Sequence, residues 1–272
     1  MNKRKKSKTY PEGSKWLQSN GCYLEVVEFL GNSSFMVKFE DSPVFKADAK
    51  EFRKGAVKNK NKPQVYNVGY IGYGEFMSKN TSKKHTPEYE VWRGVIRRCY
   101  DENARQYNIY GGRGVTVCEE WHNFQNFAQW YTSLPDYNKG FHLDKDLLDK
   151  SNTVYSPEKC TLVPPSVNSL FTGGFKSIVH MNARNNKWVV QMQMGEKCLN
   201  GNKRQSYFGE YHDRDEAIEV YFENKIKHVI SVANKEKENL DERVYLNLIN
   251  PTWIREYIEE LTLSHKDNGE EE

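Results

Sequence analysis

Residues Phe141 to Leu148 read FHLDKDLL. Alternation places Phe141, Leu143, Lys145 and Leu147 on one side of an extended chain. His142, Asp144, Asp146 and Leu148 fall on the other, so one side of a predicted strand carries an imidazole and two carboxylates. Carboxylate oxygens suit magnesium, imidazole less so. The plain alternative is an exposed polar strand face. Downstream run DKSNTVYSPEKC (149–160) and TLVPPSVNSLF (161–171). Ser156 and Pro157 predict a capped helix start, and Asn168 follows the Pro164-Pro165 pair.

Upstream, Thr86-Pro87 predicts a helix in which Tyr89, Trp92, Ile96 and Cys99 recur at three- and four-residue spacing. That stripe is core. Arg93, Arg97 and Arg98 lie largely on other faces, where they can grip phosphate or simply meet solvent. In YNIYGGRGVTVCEEW (107–121) the glycines allow a tight turn from which Arg113 projects. A guanidinium there matches two phosphate oxygens with its planar fork. Trp121, Phe124, Phe127 and Trp130 mark the packed face of the next helix.

Towards the N-terminus, CYLEVVEFL (22–30) and SFMVKFE (34–40) predict a β-hairpin, with a third strand within Val44–Phe52 and a polar link at KNKNKPQ (58–64). Nothing in this unit suggests catalysis. Towards the C-terminus, SIVHMN (177–182), KWVVQMQM (187–194) and RQSYFGEY (204–211) predict three strands, and Asp213–Ala233 an amphipathic helix. The fold expected is α+β, made of several small units: an N-terminal β unit, a central unit with flanking helices, and a C-terminal three-stranded antiparallel sheet plus helix.

The 272 residues are 28% charged with a mean hydropathy of −0.87, polar for one compact globule. No run approaches the ~18 apolar residues of a membrane span, so an unexported protein without a membrane partner is expected. The five cysteines are scattered without a C-x-x-C pair, which points to reduced thiols. A net charge of +3 names no partner, but Lys3, Arg4, Lys5, Lys6 and Lys8 form a basic arm of the kind that attracts nucleic acid.

Two resemblances cover most of the chain beyond residue 65. The strands KWVVQMQM and SYFGEY with the helix DEAIEVY resemble the ethylene-response-factor (APETALA-type) DNA-binding domain. That resemblance implies a sheet lying in the major groove of double-stranded DNA, with Arg184, Lys187, Trp188, Gln191, Arg204 and Tyr207 as contacts. The motifs YGGRGVTVCEEWHNF, LDKD and VYSPEKCTLVP resemble phage-encoded HNH-type, homing endonuclease-like proteins. That resemblance implies a ββα-metal-like hydrolase centre for DNA and a location in the host-cell cytoplasm. Arg97, Arg98 and Arg113 become DNA contacts, and Asp144 and Asp146 ligands of Mg2+. Lys145 falls at the base position, with His142 and Asn168 as the other catalytic candidates. A lysine near its usual pKa of ~10.4 holds its proton at neutral pH, which argues against ordinary HNH chemistry.

The expected organisation is a basic disordered arm (1–9), a β domain (10–75) and a degenerate HNH-like domain (86–172). An ethylene-response-factor-like domain (176–235) and a C-terminal helix with an acidic tail (236–272) complete it. Sequence-preferring DNA binding is the expected function. Mg2+-dependent nicking is the enzyme alternative. A transcriptional regulator or adaptor that meets a protein partner through the N-terminal β unit or the C-terminal helix is the other.

Overall fold

The computed structural model describes residues 10–31, 33–171, 178–197 and 203–266, without the side chains of 194–197, 203–205 and 264–266. The basic arm, Cys198 and the acidic end lie outside these residues. The chain is an α+β protein with several small antiparallel sheets. It divides into two compact units, Met1–Ser133 and Leu134–Glu272, and the division falls inside the 86–172 segment. No helix among the described residues is long and apolar enough to cross a membrane.

The first unit begins with an antiparallel meander of β1 (Lys15–Leu17), β2 (Tyr23–Phe29), β3 (Ser34–Lys38) and β4 (Phe45–Asp48). Alternation sends Leu24 and Val26 of β2, with Phe35 and Val37 of β3, into its core. The strand expected within Val44–Phe52 is β4, which ends at Asp48. The Asp48 carboxylate accepts from the Lys50 and Glu51 amides and starts the short helix α1 (Ala49–Arg53), which returns Phe52 to the core.

The stretch taken as a polar link is built structure. Asn59 is buried, donates to Asp41 Oδ1 at 2.7 Å, and accepts from Gln64 Nε2 at its carbonyl. The strap that follows runs along α2 (Pro87–Tyr100) and the start of α3 (Phe124–Ser133), with β5 (Thr116–Val117) between those helices in sequence. Trp92 of α2 is fully buried, donates from Nε1 to the Trp121 carbonyl at 2.7 Å, and lies 5.4 Å from the Phe124 ring. Gly69 passes so close beneath it that a Cβ would stand 2.8 Å from the indole. Gln125 of α3 then binds the strap from a buried position. Its Nε2 donates to the carbonyls of Ile71 and Phe76, and its Oε1 accepts from the Phe76 amide.

The second unit contains β6 (His142–Asp144), β7 (Val154–Tyr155), β8 (Thr161–Val163) and the one-turn helix α4 (Pro165–Asn168). The sheet of β9 (His180–Asn182), β10 (Lys187–Lys197) and β11 (Lys203–Tyr211) follows in antiparallel order β11-β10-β9. Helix α5 (Arg214–Lys235) packs on this sheet, followed by α6 (Glu242–Leu248) and α7 (Pro251–Lys266). One apolar cluster joins them: Leu147, Val163 and Val167 from the hairpin, Val190 and Met192 from β10, Ala217, Tyr221 and Phe222 from α5, and Ile254 and Ile258 from α7.

Spacing of four places Ala217, Tyr221, Lys225, Val229 and Ala233 on the buried stripe of α5. Lys225 is tolerated there because its ammonium donates to the Leu170 carbonyl at 2.6 Å. The C-terminal helix α7, read in sequence as a site for a protein partner, commits Ile254, Tyr257 and Ile258 to this core. It is clamped from outside by Arg255, whose guanidinium donates to both Glu219 oxygens and lies 4.3 Å from the Phe222 ring centroid.

Gln125→Leu is expected to lower stability by about 2–4 kcal/mol, because one donor and two acceptors in the strap lose their partner. Gln129→Ala, exposed on the same helix, should change it by less than about 0.5 kcal/mol. Urea unfolding of the full chain checks both.

Candidate functional site

Strand β6 pairs antiparallel with β8 in the register His142 to Val163 and Asp144 to Thr161. With α4 next in sequence, this makes a small strand–strand–helix hairpin. The strand expected to run to Leu148 ends at Asp144, whose Oδ1 accepts from the amides of Asp146 and Leu147, each at 2.8 Å. A carboxylate that satisfies amides two and three residues on turns the chain out of the ladder. Lys145 and Leu147 are nevertheless both buried, as their shared side of the alternation requires. The helix expected after Ser156-Pro157 is a single turn, closed by the Lys159 amide on the Ser156 carbonyl at 3.2 Å.

Lys145, at the base position of the resemblance, is only 7% exposed. Its ammonium donates to Asp146 Oδ1 and to the Asn152 carbonyl at 3.0 Å, and lies 6.0 Å from the Tyr155 ring centroid. Asn152 answers by donating from Nδ2 to the carbonyls of Lys145 at 2.9 Å and Val154 at 3.0 Å, while its Oδ1 accepts from the Val154 amide. The pair clasps the two ends of the loop between β6 and β7. A general base must present a lone pair to solvent or substrate. This nitrogen instead spends its protons on a buried carbonyl and a partly exposed carboxylate.

The neighbouring groups share the electrostatics of that loop. Burial, with the Asp146 carboxylate next, pushes Asp144 up to about 6, although the Leu147 and Asp146 amides and the Lys145 ammonium pull the other way. Burial likewise pushes the Cys160 thiol up to about 12, which makes it a packing residue and not a thiolate ligand.

His142 and Asn168, 26 residues apart, are brought together at the solvent-facing end of the hairpin, with Asn168 Nδ2 3.1 Å from His142 Nδ1. The amide donates when the ring carries its proton on Nε2. In that tautomer the exposed ring presents its Nε2–H outward, a donor for water or a phosphate oxygen.

At the two candidate magnesium ligands one carboxylate oxygen of each is already engaged. Asp144 Oδ1 is held by two amides and Asp146 Oδ1 by the Lys145 ammonium, a positive charge that already offsets the acidic pair and opposes a second cation. Among the described residues no group of three or more His, Cys, Asp or Glu side chains could hold a metal ion.

Of the arginines expected to contact DNA, Arg97 and Arg98 lie in the last turn of α2 and Arg113 on the turn that follows. Arg97 is exposed and paired with Asp101 at 3.2 Å, and the Arg98 guanidinium lies 5.2 Å from the Tyr110 ring centroid. Arg113 sits on the glycine turn, which ends at Gly114 with φ +79°; Gly111 abuts the Cys99 carbonyl so tightly that a Cβ would collide with it.

In the second unit, Arg184 is exposed on the β9–β10 turn, beside Asn186 with its φ of 54°. Trp188 sends its ring to the core side of the sheet, together with Val190 and Met192, and Arg214 lies 5.4 Å from its centroid. Lys187 and Gln191 alternate onto the opposite face. Tyr207, opposite Gln191 in the ladder, is 59% exposed there. Arg204 lies in β11, but its side chain is outside the described residues. Sequence reasoning passed over Asn152; its one signal was a place in the polar string Asp149-Lys150-Ser151-Asn152, where an Asn side chain readily bonds backbone.

Removing the ammonium with Lys145→Met is expected to destabilise the chain by about 3 kcal/mol, read by urea unfolding, since a buried acceptor and a carboxylate lose their cation. Asp144 should behave in the opposite sense. Its folded value near 6 exceeds the ordinary 3.8, so its ionised form opposes folding above about pH 6, and that opposition fades as pH falls towards 4. Asp144→Asn keeps an oxygen for the two amides and removes the charge. It should raise Tm at pH 7.5 and leave it nearly unchanged at pH 4, as thermal unfolding at the two pH values will show.

No family model, no curated protein and no solved structure matches the chain.

Proposed function

We propose that this protein binds double-stranded DNA with a sequence preference, through the outer face of the β9–β10–β11 sheet, and that its hairpin has lost the hydrolytic chemistry it resembles. The observation that carries the reading is the division of labour in β10. Trp188, Val190 and Met192 are committed to the core, while half-buried Lys187 and Gln191 and exposed Gln193 lie on the other face, with the buried Val189 between them and Tyr207 beside Gln191. Amide and ammonium groups on a two-stranded ribbon match the donors and acceptors of major-groove base edges and phosphates. The arginines at the end of α2 add phosphate contacts that position without specifying. In the hairpin, a lysine already bonded to the Asp146 carboxylate and the buried Asn152 carbonyl stands where a base would act.

Metal-dependent nicking is the second reading, favoured by the solvent-facing His142–Asn168 pair. Incubating the full chain with supercoiled plasmid, with magnesium, with manganese and with chelator, separates the two. The expected outcome is a salt-sensitive DNA complex and no strand breaks. Nicking that needs metal and disappears in His142→Ala would establish the second reading instead. Gln191→Ala with Tyr207→Ala should reduce discrimination between preferred and random duplex by about tenfold or more, at about 1–3 kcal/mol per lost base contact. Competition gel shifts measure that ratio.

A further inference from the structure

We infer that the first unit carries a second, sequence-independent surface for the DNA backbone, formed by α1 and the extended segment after it. The inference rests on the proposed DNA binding but concerns residues that play no part in the sheet. Between Ala49 and Lys60 the chain carries five cations, Lys50, Arg53, Lys54, Lys58 and Lys60, and one carboxylate, Glu51.

The fold, rather than sequence proximity alone, turns these cations outward. Ala49 and Phe52 are the buried positions of α1, which leaves Lys50, Arg53 and Lys54 exposed at the spacing that shares one helical face. The Ala56 amide donates to the Glu51 carbonyl at 2.9 Å, so the next segment leaves directly from the end of the helix. There Val57 and Asn59 are buried at 5% and 2% exposure, and alternation puts Lys58 and Lys60 on the solvent side.

Nearby carboxylates do not neutralise the stripe. Asp48 is turned to the helix amides, and Asp41 is engaged by Asn59 and Lys62. Among the described residues none of the five cations is in an ion pair, and Lys60 lies 5.6 Å from the ring centroid of the half-buried Tyr73.

The chemistry favours phosphate over a protein partner. Four of the five cations are lysines, which act on phosphates as hydrated point charges and are depleted at the cores of protein interfaces. The large aromatic rings beside the stripe, Trp16 against Tyr10 and Phe52 and Tyr73 against Phe45, pack back onto the unit and do not project as anchors of the kind that dominate binding energy between proteins. A row of ammonium groups fixed to a rigid edge displaces condensed counterions from a duplex and reads no sequence.

The test uses the full chain with all five cations replaced by glutamine, which keeps the side chains long and polar at exposed positions. Binding to a random duplex is titrated by fluorescence anisotropy between about 50 and 200 mM salt. We expect unchanged thermal unfolding, at least tenfold weaker binding at low salt, and a log–log salt slope shallower by about 2 or more, at about 0.9 per phosphate contact. If wild type binds and the variant binds with the same affinity and slope, the stripe is overturned while the sheet reading stands. If wild type binds no duplex DNA, both fall. A change confined to the preferred duplex, with random binding intact, also overturns it.

Discussion

A single buried ammonium organises the second unit's hairpin. Lys145 ties Asp146 to the far side of its loop through the Asn152 carbonyl, and Asn152 returns a bond to the Lys145 carbonyl. Moving a charged nitrogen into a nearly dry site is tolerated only when acceptors surround it. Those acceptors hold the loop closed between the end of β6, set by Asp144, and the start of β7. The histidine and asparagine at the outer end stand on this frame. Their meeting at 3.1 Å depends on a loop held closed from inside.

Much of the fold was legible because its signals are periodic. The helix from Pro87, the stripe of Trp121, Phe124 and Phe127, the alternation of KWVVQMQM and the helix after Asp213 all follow from side-chain spacing. What spacing did not reveal is where a polar side chain prefers backbone to solvent. Asp144 ends a strand and Asp48 ends another, each by accepting two amides, and neither event alters the hydrophobic pattern. The KNKNKPQ stretch reads as linker by composition, yet Asn59 is buried through contacts with Asp41 and Gln64.

The candidate site was legible in its membership more than in its arrangement. His142 and Asn168 were each singled out from sequence, and the hairpin sets them side by side. Lys145 stood out as chemically awkward for a base, but its partners are the neighbouring Asp146 carboxylate and the Asn152 carbonyl seven residues on, a closure that alternation does not describe. In the sheet, Trp188 shares its parity with Val190 and Met192, so the rule that turns Gln191 outward turns the indole inward.

The apolar cluster of the second unit has an implication for inheritance. Leu147, Val163 and Val167 are covered by the same helices that cover Val190 and Met192, and the ammonium of Lys225 and the amide of Asn247 reach across to backbone carbonyls at Leu170 and Leu147. A hairpin excised at residue 171 would carry away an unshielded apolar face and leave two polar groups on the helices without their acceptors. Recombination that shuffles the hairpin alone between proteins is therefore penalised, and a successful transfer has to carry everything from the hairpin to α7 together.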